Sequence, residues 1–217
     1  NQIEKLSVYI PNMDTEKVDF STKKTVTIGL IDGDGIGPVI MKEAKAVLNV
    51  LLASEIQSGA VILKEICGLT IENRLAQGKS VPEDVLEEIK SCDVLLKGPT
   101  TTPMGGTMES ANVTLRRELD LYANVRPVSI PSDGIDWIFF RENTEGEYAG
   151  SGSWLFKGKP NEVVIQDGVF SRHGCERVIR YAFELARTQG KTLTSVSKGN
   201  ALNYSMVFWD QIFKEVG

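Results

Sequence analysis

Cysteine is scarce in this chain, which has three cysteines in 217 residues, at Cys67, Cys92 and Cys175. Their number is odd, they are widely separated and none belongs to a CxxC pair, which argues against a disulfide framework or a zinc site. We therefore expect free thiols in a reducing compartment. His173 and Cys175 are close in sequence, but residues two apart on a helix point in different directions, so no reactive pair is expected.

Long apolar runs, a basic stripe and low-complexity segments are also missing. The longest apolar runs, such as Ala46 to Ala53, are too short to cross a bilayer, and no charged-then-apolar signal opens the chain. The net charge of -5 comes from intermixed signs, which provide no surface for nucleic acid and no polybasic membrane anchor. We expect a globular, cytoplasmic protein that binds neither partner.

Apolar patterns in the first half of the chain alternate between those of strands and those of helices. Such alternation predicts an α/β fold with a parallel or mixed sheet, whose ligands gather at the carboxyl ends of the strands. The predicted strands are Lys24 to Ile31, Ala60 to Ile66 and Asp93 to Lys97, and the helices are Pro38 to Ala53 and Pro82 to Ser91.

The second half has fewer regular patterns. A helix is predicted from about Ser110, and Cys175 to Gln189 has helical periodicity with Gly190 as its stop signal. Further strands are predicted at Ser7 to Pro11, Leu119 to Val125, Trp137 to Phe140 and Thr192 to Val196.

The segment Lys97 to Arg126, KGPTTTPMGGTMESANVTLRRELDLYANVR, combines small hydroxyls, glycines and arginines. Thr100 to Thr102 provide three hydroxyls, and Gly105-Gly106 allow close approach of the backbone to a ligand. The loop therefore predicts a site for a polar ligand.

Arginines follow this loop at intervals that suit an anionic ligand. Asn112 and Arg116 are four apart on the predicted helix and share one face, and Arg126 follows the next apolar segment. Because guanidinium groups bind carboxylates with two parallel hydrogen bonds, the segment predicts a pocket for a polycarboxylate. The spacing alone is equally compatible with a solvated helix that carries surface arginines.

Three glycines, Gly33, Gly35 and Gly37, lie between a predicted strand and a predicted helix. Glycines there can bind a pyrophosphate, but the spacing is GxGxG followed by proline, so the GxGxxG pattern is absent. We favour a tight structural turn in which Asp32 and Asp34 accept hydrogen bonds from local amides.

Polar residues follow two of the later predicted strands. Arg141 and Tyr148 come at and after the end of one, and Lys198 follows another. Neighbouring positive charge favours a phenolate, so a tyrosine near arginines can act as an acid. Without further information, an aromatic residue packed against an arm and an exposed lysine remain open alternatives.

Four ordered motifs resemble those of the isocitrate and isopropylmalate dehydrogenase family, the metal-dependent β-decarboxylating dehydrogenases. The motifs are GLIDGDGIGP at Gly29 to Pro38, the segment Lys97 to Arg126, FRENTEGEYAG at Phe140 to Gly150 and SKGNA at Ser197 to Ala201. The isocitrate-specific members are the most similar.

This resemblance implies an α/β fold of the isopropylmalate dehydrogenase type, which is not a Rossmann fold. It implies a large domain at 1–123, a small domain at 124–145 and 169–217, and a clasp arm at 146–168 through which two subunits form a homodimer.

The resemblance also implies residue roles. Tyr148 would donate a proton to the enol formed after decarboxylation, and Lys198 would help to deprotonate the substrate hydroxyl in the active site of the partner subunit. The substrate would be bound by Ser110, Asn112, Arg116, Arg126 and Arg141, and the nicotinamide cofactor would lie near Lys97, Thr102 and Asn200.

The implied reaction is the metal-dependent oxidative decarboxylation of isocitrate to 2-oxoglutarate. The cofactor would be NAD or NADP, and the metal would be Mg²⁺ or Mn²⁺. In the family, three aspartates hold the metal in a C-terminal region that this sequence does not match. We therefore nominate no metal ligand and expect a truncated chain that is inactive alone.

Ser110 and Asn112 favour isocitrate, because a pocket for isopropylmalate should offer apolar side chains at these positions. Homoisocitrate or isopropylmalate is the alternative substrate. A noncatalytic regulatory or binding subunit of the same family is another alternative, although the presence of both Tyr148 and Lys198 argues against it.

Overall fold

A computed structural model describes residues 19–106 and 108–217, which fall into two compact units. We call residues 19–119 the N-terminal unit and Asp120–Gly217 the C-terminal unit. The strand predicted at Ser7 to Pro11 lies outside the described residues. Within the described ranges, no helix combines the length and apolarity needed to span a membrane.

The N-terminal unit is built on a parallel sheet of three strands. Its elements are β1 (Val26–Ile31), α1 (Gly37–Leu51), α2 (Ala53–Gln57), β2 (Val61–Glu65), α3 (Ile71–Gln77), α4 (Glu83–Lys90), β3 (Val94–Lys97) and α5 (Ala111–Glu118). The strand order is β2-β1-β3, with Ile28 of β1 paired with Leu63 on one side and Val94 on the other. The predicted α/β class is confirmed.

Helix α3 was not predicted from the sequence. Its start is set by Thr70, whose hydroxyl accepts a hydrogen bond from the Asn73 backbone N–H, and its end by Gly78, which adopts φ 64°. The helix is short, so its ends rather than an apolar stripe determine where it forms.

One side of the sheet is covered by α4, α5 and the connection between β2 and α3. The buried apolar residues of this core are Ile31, Ile66, Leu69, Val81, Val85, Ile89, Ala111 and Leu115. Helix α1 is different, because it buries Gly37 and Met41 but leaves several aliphatic side chains open to solvent. The exposed ones on and beside α1 are Ile36, Val39, Ile40, Val47, Val50 and Leu51.

The C-terminal unit consists of two antiparallel ribbons and two helices. Its elements are β4 (Ala123–Ile130), β5 (Ile135–Glu142), β6 (Gly152–Leu155), β7 (Val163–Gln166), α6 (Arg172–Gln189) and α7 (Ser205–Val216). Cys175, Val178 and Ile179 of α6 pack with Ile212 of α7 in a buried cluster. Gly190 ends α6 with φ 64°, as its predicted stop signal required.

Two strand predictions in this part of the chain are corrected. Thr192 to Val196 is not a strand, and Val196 is 86% exposed. A strand needs a neighbour for its backbone N–H and C=O groups, and none of the described strands pairs with this segment. Strand β4 begins at Ala123, so Arg126 lies inside the strand rather than after it.

The hairpin of β6 and β7 lies within the segment predicted to form an arm. Every residue of both strands is exposed, which is unusual for such apolar sequences. The large apolar side chains exposed on and beside this hairpin are Trp154, Leu155, Phe156, Val163, Val164 and Ile165.

Candidate functional site

The threonine loop, residues 98–106, follows β3 and is held through its backbone. The Thr101 N–H donates to Asp34 Oδ2 over 2.7 Å, and the Thr101 carbonyl accepts from Arg74 Nη1 over 2.7 Å. The Thr100 hydroxyl lies 3.3 Å from Asn112 Oδ1, whereas Thr102 is exposed. The loop is thus fixed from inside while the side chain of Thr102 remains open to a ligand.

Helix α5 and its N-cap carry three predicted substrate-binding residues. Ser110 occupies the N-cap position, but its side chain does not cap the helix. Asn112 and Arg116 lie four apart on α5, and all three residues are partly buried. Helix N-termini attract anions because the first N–H groups lack partners within the helix. The start of α5 therefore combines a hydroxyl and an amide beside an anion-attracting helix terminus, and Arg116 lies one turn beyond Asn112.

Lys97, the last residue of β3, is partly buried in positive surroundings. Burial lowers the pKa of Lys97; Asp34 counteracts this effect, and the nearby charges of Arg116 and Arg74 add to it. Its Nζ donates to the Gly98 carbonyl over 2.7 Å. An anionic ligand near the end of β3 would relieve the repulsion among these cations.

Arg126 and Arg141 lie on one face of the ribbon formed by β4 and β5. Arg141 is directly opposite Asn124 in the register, and Arg126 is two residues further along the same strand as Asn124. Arg126 Nε donates to Asn124 Oδ1 over 3.0 Å, and Arg141 Nη2 donates to Asn143 Oδ1 over 3.4 Å. Asn124 Nδ2 donates to the same oxygen of Asn143 over 3.3 Å. The two asparagines therefore connect both guanidinium groups.

Asn143 anchors this network. It is 6% exposed, and its Nδ2 donates to the Leu121 carbonyl over 3.0 Å. Arg126 and Arg141 are themselves exposed, so their remaining donors can reach a ligand from a fixed base.

Tyr148 lies beside Arg141, whose guanidinium carbon is 5.9 Å from the centre of the phenol ring. Both residues line a cavity of about 370 Å³ within the C-terminal unit, a volume sufficient for a small organic acid. Its apolar wall comprises Phe140, Phe170, Val196, Met206 and Trp209. Arg141 and Tyr148 therefore share this cavity, and Arg126 is connected to Arg141 only through the two asparagines.

The loop that carries Tyr148 is tied to the start of α6 by Glu145. One oxygen of Glu145 accepts from the Ser171 backbone N–H over 2.7 Å, and the other accepts from the Ser171 hydroxyl. That hydroxyl in turn accepts from the Gly174 N–H over 2.9 Å. The carboxylate also occupies the space that a side chain at Gly174 would need.

Lys198 and Asn200 lie in a turn before α7 and are both exposed. The Lys198 carbonyl accepts hydrogen bonds from the N–H groups of Ala201 and Leu202. Neither Lys198 nor Asn200 lines the cavity beside Tyr148. The structure thus places these two predicted residues on the surface, apart from the other predicted residues of the C-terminal unit.

The glycine turn packs against the chain's own backbone, as the spacing predicted. A Cβ atom at Gly33, where φ is 73°, would lie 2.0 Å from the Pro99 carbonyl oxygen. The predicted roles of the aspartates need correction, because Asp34 binds the N–H groups of Ile71 and Thr101, which lie outside the turn. Asp32 instead forms an ion pair with Lys45, with Nζ and Oδ1 2.6 Å apart.

A metal site is not assembled by residues 19–106 and 108–217 alone, since no three potential His, Cys, Asp or Glu ligands lie together there. Three residues important for the geometry were missed from the sequence, namely Arg74, Asn124 and Asn143. The register of β4 and β5 sets the contacts of the asparagines, and Arg74 contacts a loop 27 residues away. No local pattern signals such contacts.

Comparison with known proteins gives concordant results. The isocitrate/isopropylmalate dehydrogenase family model matches residues 27–217. The decarboxylating D-malate dehydrogenase of Escherichia coli K12 is 38% identical over 205 residues, which cover 87% of this chain and 56% of that protein. The tartrate dehydrogenase/decarboxylase of Pseudomonas putida is 34% identical over 201 residues, which cover 85% of this chain and 54% of that protein.

A solved structure extends the similarity to the fold. Isocitrate dehydrogenase from Methylococcus capsulatus matches with a TM-score of 0.74 and 35% identity, covering 88% of this chain and 57% of that one. The chain thus spans about half the length of the relatives it matches. Because the family model covers most of its residues, the chain belongs to the isocitrate/isopropylmalate dehydrogenase family.

Proposed function

We propose that the whole protein oxidises and decarboxylates isocitrate to 2-oxoglutarate with NAD or NADP. The observation that supports this substrate is the polar face of α5, where Ser110 does not cap the helix start and Asn112 and Arg116 lie four apart. Isocitrate carries three carboxylates, and the third needs hydrogen-bond donors of this kind. The helix terminus adds further attraction for an anion.

Two of the relatives described above are named for other substrate acids. The relatives named for D-malate and tartrate act on acids with two carboxylates, which would leave the donors at Ser110 and Asn112 without a charged partner. Isopropylmalate would place a branched apolar group beside them, and burying an unpaired hydroxyl and amide is unfavourable. Homoisocitrate retains a third carboxylate and remains the runner-up.

Arg116, Arg126 and Arg141 are proposed to bind the remaining carboxylates. Arg116 lies in the N-terminal unit, and Arg126 and Arg141 are held by the asparagine network of the C-terminal unit. Binding through planar guanidinium forks would orient the substrate as well as hold it.

Tyr148 and Lys198 are proposed as the acid and the base. Lys198, acting on the site of a partner subunit, takes the proton of the substrate hydroxyl, while the carbon loses a hydride. After carbon dioxide leaves, Tyr148, whose ring centre lies 5.9 Å from the guanidinium carbon of Arg141, protonates the resulting enol.

NAD or NADP, when bound, supplies the hydride acceptor. Lys97, Thr102 and Asn200 are proposed to contact it, and the positive surroundings of Lys97 suit an anionic cofactor. Mg²⁺ or Mn²⁺ is proposed from family membership alone. Because the described residues assemble no ligand cluster, we assign no step to the metal.

We also propose the domain division given above, with a large domain at 1–123, a small domain at 124–145 and 169–217, and a pairing arm at 146–168. The exposed apolar side chains of β6 and β7 support a role in homodimer formation. Replacing Trp154 and Val164 by serine should shift the mass measured by light scattering from dimer to monomer. An unchanged mass would contradict the role of the arm.

The reaction is tested by reduction of NAD and NADP with a panel of acids and Mg²⁺ or Mn²⁺. Isocitrate, homoisocitrate, isopropylmalate, D-malate and tartrate are compared on this chain and on the chain extended at its C-terminus to the length of its relatives. We expect turnover of isocitrate by the extended protein. Binding without turnover in both forms would favour a noncatalytic subunit.

Variants at Ser110 and Asn112 test whether these two residues determine the preference for isocitrate. Ser110→Ala and Asn112→Ala should raise KM for isocitrate by about tenfold to a hundredfold, because each removes a hydrogen bond to a charged group. Any residual turnover of D-malate should change little, since that acid lacks the third carboxylate. Equal loss for both acids would refute the assignment of Ser110 and Asn112.

A further inference from the structure

Two buried charged residues hold the backbone of Thr101 in the threonine loop, one through its N–H group and the other through its carbonyl group. Asp34, 9% exposed, accepts the Thr101 N–H, and Arg74, 0% exposed, donates to the Thr101 carbonyl. Both distances are 2.7 Å, typical of hydrogen bonds to charged groups. The orientation of the two successive peptide groups that meet at Thr101 is therefore set by side chains of the glycine turn and of α3.

The same two residues also connect the surrounding chain. The Arg74 guanidinium donates from Nε to the Ser80 carbonyl over 2.7 Å and lies 3.5 Å from the Glu109 carbonyl. Asp34 accepts from the N–H of Ile71, the first residue of α3. One end of the segment 101–109 is thus fixed at Thr101, and the other end approaches the same guanidinium just before Ser110.

Burying the Arg74 guanidinium has an unfavourable free energy, because burial removes the hydration of its charge. Burial lowers the pKa of Arg74, and the nearby charge of Asp34 counteracts this. An apolar side chain could fill the space, but it could not donate to the carbonyl groups of Ser80 and Thr101. The buried guanidinium of Arg74 therefore supplies the donors that hold both carbonyl groups.

We propose that Arg74 and Asp34 are positioning residues that hold the threonine loop in its ligand-binding conformation. Neither residue has to touch the ligand. This inference rests on the proposed function, because the loop carries Thr102 and leads to Ser110. A loop that is already ordered loses less conformational freedom on binding than one that must be ordered by its ligand.

The test uses the extended protein and variants at Arg74, with isocitrate as the probe. Arg74→Met should raise the dissociation constant for isocitrate, measured by calorimetry, by about tenfold or more. Arg74→Lys should recover part of this loss, because its single ammonium can reach the Thr101 or the Ser80 carbonyl but not both. The stability-matched control is Ile89→Val in the buried core, which should leave the dissociation constant unchanged.

Hydrogen exchange gives a second readout that does not depend on ligand. Asp34→Asn should accelerate exchange of the Thr101 or Ile71 amide, because the new side-chain amide can accept only one of these hydrogen bonds. Exchange of the amides of β1 should stay slow if the effect is local. Unchanged exchange at both Thr101 and Ile71 would overturn the positioning role.

The outcomes separate this inference from the proposed function. Isocitrate binding that is unaffected by Arg74→Met would overturn the inference alone. If the unmodified protein binds D-malate instead, the proposed substrate is wrong, and the effect of Arg74→Met on D-malate binding decides the inference. If none of the five acids binds, both proposals are wrong. Equal losses in Arg74→Met and Ile89→Val would also contradict positioning, because they would indicate a general loss of stability.

Discussion

Replacing Gly174 by alanine should destabilise the C-terminal unit, because the new methyl group would displace the carboxylate of Glu145. Gly174 lies in the first turn of α6, and a Cβ atom there would approach Glu145 Oε1 to 2.4 Å and Oε2 to 2.6 Å. The flexible glutamate can move away, but it then loses its hydrogen bonds to the N–H and hydroxyl of Ser171. The substitution therefore acts by removing a support of the helix start.

The magnitude follows from two opposing effects. Hydrogen bonds to a charged group contribute about 1.5–3 kcal/mol, with the lower end appropriate because Glu145 is only partly buried. Alanine is better than glycine in a helix by about 1 kcal/mol. The loss of two such hydrogen bonds outweighs this gain, and we therefore expect a net loss of about 2 kcal/mol in the free energy of unfolding. In a Glu145→Ala background, the clash is absent, and the same substitution should stabilise by about 0.5–1 kcal/mol.

The assay is urea unfolding of the four proteins of this double-mutant cycle. All three tryptophans, Trp137, Trp154 and Trp209, lie in the C-terminal unit, so their fluorescence reports on the unit that is changed. The expected result is a change of sign between the two backgrounds. An equal loss of stability with and without the Glu145 carboxylate would refute the reasoning.

Gly33→Ala should cost at least about 3 kcal/mol in urea unfolding, since its Cβ would lie 2.0 Å from the Pro99 carbonyl oxygen at a positive φ. Gly35→Ala, with φ 60° and open space, should cost only about 1–2 kcal/mol, and equal losses would contradict the packing of the turn. Burial, with smaller effects from nearby carboxylates, raises the pKa of Cys175 from 9.0 to about 12, so the unfolded chain loses this proton first as pH rises. Stability should therefore fall between pH 9.0 and about 12 by up to about 1.4 kcal/mol per pH unit, and Cys175→Ala should flatten this decline in urea midpoints. Ellman's reagent should label the exposed Cys67 in the folded protein but the buried Cys175 only after unfolding. Rapid labelling of Cys175 in a folded Cys67→Ser variant would contradict this expectation.

The elements predicted correctly from the sequence are those with a complete local pattern. Helices α1 and α4 and strands β1 to β3 each carry an apolar period or run bounded by turn residues, so their positions follow from the chain itself. Helix α3 has only seven residues and depends on Thr70 and Gly78 at its ends. The segment Thr192 to Val196 has strand-forming residues but no neighbour among the described strands, and pairing decides whether a strand forms.

Within the candidate site, the helical contacts follow from local sequence patterns, whereas the sheet contacts depend on pairing between strands. The shared face of Asn112 and Arg116 follows from helical spacing and could be predicted. The link from Arg126 through Asn124 to Asn143 depends on the register between β4 and β5, which a single sequence does not specify. The family motifs identified the arginines, but not the asparagines that orient them.

The strand order β2-β1-β3 has a consequence for synthesis of the protein on the ribosome. Central strand β1 is made first, yet Ile28 pairs with Leu63 and Val94, which are translated much later. Pairings between distant residues form slowly, and partly made sheets expose edges that favour aggregation. Until Lys97 has emerged, β1 lacks its partner strand β3 and one of its edges stays unpaired, while the aliphatic residues of α1 are already exposed. The yield of soluble protein should therefore depend on chaperones that bind this stretch during translation.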